Sequence, residues 1–325
     1  MLRGRLLLLG LGLVALVASW FVVWAVWRYE RLARDVMWLD ERDFDTLTLT
    51  TAGTGSAYEN PTRLGPVSAV GYRSRIVLVD AGRGVAEALR HCAIRTAQPD
   101  TLLLTSLLPE NTVGIDDLLA SGWLSERTQP LRVIGPPGTR ALTSAVLAAQ
   151  RPGLDAYGRA LGLPAGGAEL DVLEVGDGWS ETRDGLTLLA GAVGGRPLPE
   201  LAWRFEADGA ALVVSGSGPD PDALAAFAKG AGLLVTEGFY RTSADLAAAG
   251  GGEEAKRMRR EEDLHLDTEE AGAVAARAGV PALVLTRLRP PPLFSSQYQT
   301  SAGKRYDGRV VVASECGTYP AGPPP

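Results

Sequence analysis

The chain has 325 residues, 46% of them hydrophobic, and carries 32 Lys and Arg against 38 Asp and Glu, for a net charge of −6. That length can bury a sizeable core and suits one large domain or two small ones. The acidic balance argues against general nucleic-acid binding, because neutralising phosphates takes a basic surface, so no nucleic acid is expected as a partner.

Leu6–Trp27 is an uncharged, mostly apolar run. As a helix it covers about 30 Å, the thickness of a bilayer core. Trp20, Trp24 and Trp27 gather toward one end, as interface aromatics do. A cleaved signal peptide is the competing reading, but the run is longer than a typical signal core and no small-x-small cleavage site follows it. A buried soluble helix is a third reading. Residues 1–28 are read as a single membrane anchor. Residues 29–45, charged with scattered apolar positions, are read as a helical continuation into a juxtamembrane linker. Arg3 and Arg5 precede the span; Arg28, Arg31, Arg34 and Arg42 follow it. Counting Lys and Arg alone puts the globular part inside. A short basic N-terminus before one long apolar run looks like a signal anchor and puts it outside. The second is adopted: a single-pass protein of a bacterial inner membrane, with its domain extracytoplasmic. Cys92 and Cys316 could pair or stay free, and two cysteines do not settle the compartment.

Thr46–Thr50 alternates with β-branched residues and predicts a strand. Gly53-Thr54-Gly55-Ser56 predicts a tight turn in which Gly supplies positive φ. Val67–Tyr72 and Arg75–Asp80 read as strands, and the Gly-rich turn Ala81–Val85 opens a helix through His91. That turn lacks the dinucleotide and P-loop spacings; His91 reads as a capping or surface residue. Leu102–Leu119 reads as a buried strand, a short loop and a helix start. Leu131–Ile134 follows as a strand. Thr139 is expected to cap a helix over Arg140–Gln150, with a Gly/Pro-punctuated stretch beyond it that has some helix around Leu154–Leu161. Strands are expected at Leu170–Val175, Leu186–Gly191, Leu201–Glu206, Ala211–Ser215, Leu233–Thr236, Ala282–Thr286 and Gly308–Ser314. Helices are expected at Asp220–Lys229 and Thr268–Ala278. Glu253–Asp263 mixes charges at helix spacing, as a solvated face or a protein-partner surface would. Residues 317–325 are read as a Pro-rich tail, with Ala321–Pro325 disordered.

Several ordered blocks resemble the metallo-β-lactamase superfamily, and within it the ribonuclease Z and arylsulfatase-like branch. Gly53–Val70 (GTGSAYENPTRLGPVSAV) is similar to the opening G-T-G…R-x-G-P block. Ile76–Val85, Leu131–Thr139, Ser215–Pro219, Leu233–Gly238, His265–Gly279 and Leu283–Pro290 resemble later blocks in order. The resemblance implies an αββα sandwich over residues 46–316. It also implies a dinuclear zinc site at the edge where the two sheets meet, since Zn²⁺ prefers imidazole and paired ions share an activating hydroxide. The ligands do not carry over. Where the family's strand ends in T-H-x-H-x-D-H, this chain has Ser106, Leu108, Glu110 and Asn111 at the ligand positions. The next histidine falls near Gly194 or Gly195, Ser217 replaces the bridging aspartate, and Arg287 replaces the last histidine. The whole chain has two histidines, too few for a His-rich site of that kind. No metal or other cofactor is expected.

What survives is Asp80, which the resemblance makes chiefly structural, together with Gly114, Asp117 and the pair Glu237 and His265. In the branch it resembles, the matching histidine assists proton transfer, with the glutamate behind it. Structural retention is the bland alternative. A hard-cation site using Glu110, Asp116, Asp117, Glu237 and Asp263 is a further one. Ser106, Asn111, Ser217, Thr236 and Arg287 are candidates for ligand binding, with Arg287 as anchor for a small anion. The reading adopted is a membrane-anchored, non-catalytic metallo-β-lactamase-fold protein with a binding, scaffolding or regulatory role. The alternative is a phosphodiesterase- or sulfatase-like hydrolase using Glu237 and His265.

Overall fold

The computed structural model describes residues 2–37, 39–57, 60, 62–194, 198–241, 252, 253, 256, 260 and 264–322. The chain forms two units, up to Glu41 and from Arg42 onward. The first is one helix, α1 (Leu2–Met37). Within it Gly10–Ala33 is long and apolar enough to cross a membrane, and a signal sequence would pass the same test. The helix runs well past Trp27, as the expected continuation required.

The second unit holds fourteen strands among its described residues. The first sheet has the order β14-β1-β2-β3-β4-β5-β6 and the second β13-β12-β11-β10-β9-β8-β7. β1 (Phe44–Gly53), β2 (Val67–Arg73) and β3 (Arg75–Val79) are antiparallel; β4 (Thr101–Leu103), β5 (Leu131–Gly135) and β6 (Leu170–Glu174) continue parallel to β3. The second sheet repeats the scheme. β7 (Ser180–Arg183), β8 (Leu186–Ala192), β9 (Leu201–Ala207) and β10 (Ala210–Val214) are antiparallel. β11 (Leu233–Phe239), β12 (Ala282–Arg289) and β13 (Arg309–Val312) run parallel to β10.

Period-two alternation decides which residues face which layer. In β3, Val77 and Val79 enter the core between the sheets, while Ile76 and Leu78 face outward under helices. In β9, Leu201, Trp203 and Phe205 point to the same inner core and Ala202 points out. The inner core is therefore made from both sheets. Helices cover each outer face: α2 (Val85–His91) and α4 (Ile115–Leu124) on the first, and α6 (Pro221–Phe227), α7 (Thr268–Ala278) and α8 (Ser295–Gly303) on the second, with α3 (Pro109–Thr112) and α5 (Thr139–Leu161) between them in sequence. This is the expected αββα sandwich. α7 begins with a capping box in which Asp267 accepts from the helix and Glu270 reaches back to the Asp267 N–H.

Several expectations need correction. Residues 317–325 are not simply a tail. Gly317–Pro320 is strand β14, paired with β1 from Thr48↔Pro320 to Thr51↔Gly317, and Ala321 is buried and donates to the Leu47 carbonyl. The domain thus starts before residue 46 and extends past 316, and only residues 323–325 of the expected tail lie outside those described. Gly53 and Gly55 do not have positive φ. They are needed because a Cβ on either would collide with the carbonyl oxygen of Gly65 or Leu64. Thr139 is inside α5, with its hydroxyl on the Pro136 carbonyl, and the residue at the cap position is Gly138 in the left-handed region. α5 continues through Pro152 to Leu161 instead of stopping at Gln150. β7 and α8 were not anticipated. Most of the charge run Glu253–Asp263, including Asp263, lies outside the described residues, as does Gly195.

Cys92, at the end of α2, and Cys316, just ahead of β14, are joined in a disulfide. The open question about these two residues resolves as pairing.

Candidate functional site

The site lies where the parallel strands of both sheets end, the usual place for a crevice in sheets of this kind. From the first sheet it receives Asp80 after β3, Thr105 and Ser106 after β4, and Glu110 and Asn111 on α3. From the second it receives Ser217 after β10, Glu237 on β11, and Arg287 and Arg289 on β12. Glu200 precedes β9, and His265 lies just ahead of α7.

Asp80 and Arg287 meet at the centre. Asp80 has φ 61° and Arg287 φ 50°, both unusual for residues with a side chain. The Arg287 conformation has a local cause. Glu237 pairs with Thr286 and Phe239 with Arg289, so β12 carries one more residue than β11 at this point. That bulge re-aims the Arg287 side chain. Its guanidinium forms an ion pair with Asp80 Oδ2 and donates to Asn111 Oδ1 at 2.7 Å. Asp80 also accepts from the Thr105 N–H at 2.8 Å and from the Thr105 hydroxyl at 2.9 Å. Asn111 Nδ2 donates to Ser106 Oγ at 2.8 Å and Thr105 Oγ1 at 3.2 Å. Arg287, Asp80 and Asn111 are all buried. The centre is a closed net that ties β12 of one sheet to β3 and α3 of the other.

This placement changes the expectation for Arg287. As anchor for a small anion it would need charge to spare, and Asp80 already neutralises it. Ser106 and Asn111 bond each other. Thr236 is fully buried and accepts the Ser215 hydroxyl at 2.8 Å. Ser217 donates to Glu110 Oε1 at 2.6 Å. The structure brings these candidates together at the sheet edge, but chiefly as partners for one another.

Glu237 and His265 form the expected pair, with His265 Nδ1 2.7 Å from Glu237 Oε2. The carboxylate's other oxygen accepts backbone N–H groups from Gly218 and Leu266. The imidazole stacks on Phe239 with ring centroids 5.5 Å apart. Its Nε2 faces Arg289 Nη1 at 3.5 Å. Burial pulls the imidazole pKa down; the Glu237 charge and hydrogen bond, with help from Glu110, outweigh it, and the net shift is upward.

Glu200 was missed from the sequence. It is buried, its Oε1 accepts the Gly216 N–H at 2.7 Å, and its Oε2 has no hydrogen-bond partner among the described residues. Burial first, then the nearby charge of Glu237, push its pKa well above the ordinary carboxylate range. Arg289 was also missed. Asp116 and Asp117, offered as ligands for a hard cation, are engaged elsewhere: Asp116 accepts from Gln150, and Asp117 from the Ala86 N–H and the Ser121 hydroxyl. Among the described residues no group of three or more His, Cys, Asp or Glu could hold a metal ion.

Two mixed sheets packed face to face, helices on both outer faces and a crevice at the strand ends define a metallo-β-lactamase-fold protein. The structure is similar to the metallo-β-lactamase-fold protein YhfI from Bacillus subtilis, with TM-score 0.65 and 16% identity over 86% of this chain and 99% of that one. It is similar to the short form of human tRNase Z, with TM-score 0.63 and 17% identity over 85% and 100%. Zinc-bound PqqB from Methylobacterium extorquens follows, with TM-score 0.58 and 15% identity over 84% and 99%. No family model matches the chain. In sequence it is 33% identical to ribonuclease Z of Mycobacterium avium over 278 residues, 83% of this chain and 96% of that protein. Ribonuclease Z of Mycobacterium marinum is 31% identical over 282 residues, again 83% and 96%. The chain belongs to the ribonuclease Z family.

Zinc is the metal this fold implies, and the residues present do not fit it. Ser106 and Asn111 supply neutral oxygens and an amide already used in hydrogen bonds, Leu108 supplies nothing, and Arg287 is a permanent cation among them.

Proposed function

We propose that this protein is a non-hydrolytic member of its family, held at a membrane by α1 and acting through binding in its cleft. The observation that carries this reading is the Arg287 guanidinium bonded to Asp80 and Asn111 at the centre. A fixed positive charge there disfavours a second cation, and its net of partners leaves no open coordination position. The test uses full-length protein purified in detergent without chelators. Metal content is measured, and hydrolysis of bis(p-nitrophenyl) phosphate and of a precursor tRNA is followed. The expected result is no stoichiometric zinc and no turnover. Near-stoichiometric zinc with phosphodiester cleavage would overturn the proposal.

A second reading is favoured by one observation, the 2.7 Å contact of His265 with Glu237, which can orient an imidazole for proton transfer. On this reading the protein is a hydrolase of its relatives' general kind that uses an atypical site. Any hydrolysis detected should then fall on His265→Ala, and activity untouched by that change would rule the reading out.

The domain is assigned to the extracytoplasmic side. The Cys92–Cys316 disulfide supports this, because such bonds persist in oxidising compartments. A C-terminal alkaline phosphatase fusion should be active; an inactive fusion at normal expression would place the domain inside.

A further inference from the structure

The first sheet ends in β14 and β6, the second in β13 and β7. An edge strand offers unpaired backbone N–H and C=O groups to any other chain, and charged residues or proline on it discourage that. β6 carries Asp171 and Glu174, β7 carries Glu181 and Arg183, and β14 ends in Pro320. β13 differs. After Arg309 it consists of Val310, Val311 and Val312, all half-exposed, with neither a charge nor a proline among them. β-Branched residues of this kind favour strand pairing. Among the described residues β13 is paired on one side only, with β12.

The register of β13 decides which backbone groups are on offer. The strand runs parallel to β12 from Ala282↔Arg309 to Leu285↔Val312. The Arg309 N–H donates to the Pro281 carbonyl at 3.1 Å, and the Ala313 N–H to the Leu285 carbonyl at 2.8 Å. Alternate residues of a strand turn their backbone groups to the same side, so Arg309, Val311 and Ala313 face β12 while Val310 and Val312 face outward. The Val310 carbonyl agrees with this, since it accepts the side-chain amide of Gln299 on α8 at 3.3 Å. A carbonyl has two lone pairs and can take a second donor.

We infer that β13 is the docking edge for a second copy of this chain, the two strands pairing antiparallel across a two-fold axis at Val311. In that register Val310 lies opposite the partner's Val312, and Val312 opposite the partner's Val310. Each of these pairs exchanges two hydrogen bonds, so the outward N–H and C=O groups of both residues are answered at once. The side chains agree as well. Val310 and Val312 lie on the helix-covered side of the sheet and Val311 on the side of the inner core, so Val meets Val on both faces. No polar side chain on the three valines selects a foreign sequence, whereas the strand is complementary to itself. An isologous contact of this kind uses up the open edge of each copy and closes at two.

The test is sedimentation velocity of the full-length protein in density-matched detergent, joined to site-directed crosslinking. Wild-type protein should dimerise as its concentration rises. The two Val311 residues form a non-hydrogen-bonded pair with Cα atoms about 4.5 Å apart, a separation that suits a disulfide. Val311→Cys should therefore give a covalent dimer on mild oxidation with copper phenanthroline in air. Val310→Cys, whose two copies are offset along the strands, should give several-fold less. Val310→Pro removes an outward N–H that the ladder to β12 does not use, and it should weaken dimerisation at least about tenfold while the circular dichroism of the monomer stays unchanged. Val312→Lys, which puts a charge on the edge and keeps every N–H, should weaken it likewise. A monomeric wild type, equal crosslinking at the two cysteine positions, or a dimer untouched by Val310→Pro and Val312→Lys would each overturn the inference; association through α1 alone would give the last of these. The inference stands apart from the function proposed above, since none of these readouts involves zinc or phosphodiester turnover.

Discussion

On the Asp80 side of the cleft, side chains answer one another: Asp80 with Arg287 and Thr105, Asn111 with Arg287 and Ser106. On the Glu200 side, one carboxyl oxygen has no hydrogen-bond partner among the described residues, and Glu200 belongs to the lining of a cavity. Asp80 follows β3 of the first sheet and Arg287 lies on β12 of the second, with β11 and β10 between β12 and the strand that Glu200 precedes. One has been filled by protein and the other left open.

The largest effect is expected from breaking the filled region. Arg287→Ala leaves Asp80 buried and without its counter-charge, which costs about 3–5 kcal/mol. Chemical denaturation should show it. Asp80→Asn combined with Arg287→Met removes both charges, keeps an acceptor for Thr105, and should recover much of that loss. A double-mutant cycle isolates the coupling. If Arg287→Ala were as stable as wild type, the net would not be what holds the two sheets at this edge.

A smaller effect is expected from His265. The His265 pKa is raised above its ordinary 6.5 against burial, by Glu237 and then Glu110. A base whose folded pKa lies above its unfolded value stabilises the fold fully below pH 6.5, and the contribution is lost as pH rises through the folded value. His265→Gln should therefore cost on the order of 1–2 kcal/mol below pH 6.5 and less in more alkaline buffer. Thermal denaturation across pH reads this directly. A loss independent of pH would mean that the ring contributes only by packing on Phe239.

How much of this was legible in the sequence depends on the range of the interaction. Strands such as Arg75–Val79 and Leu201–Ala207 could be read because their alternation or apolar runs are local. The αββα arrangement followed from motif blocks in order. Gly317–Pro320 could not be recognised as a strand, since GTYP has little pattern of its own and gains its identity from pairing with β1. The helix through Pro152 likewise overrides a local stop signal. In the site, Glu237 and His265 were legible through the resemblance. The Asp80–Arg287 pair was not, because its members lie 207 residues apart and the bulge that aims Arg287 comes from strand register. Glu200 was invisible for a simpler reason: a single Glu after Pro199 looks like surface until the fold buries it.

The smallest effect is expected where the resemblance suggests the largest. Arg287→His restores an imidazole at the position of the family's last histidine and removes the cation from the centre. It should still bring no stoichiometric zinc. One imidazole is a single ligand, and Ser106, Leu108 and Asn111 remain where the others would have to be. Asp80 and Glu110 could add carboxylates, but Asp80 is held by the Thr105 N–H and hydroxyl and Glu110 by the Ser217 hydroxyl. Metal analysis of the purified variant decides the matter. Zinc near one equivalent would show that Arg287 by itself had closed a site otherwise able to bind, and the line between the filled and open regions would have to be redrawn around that one residue.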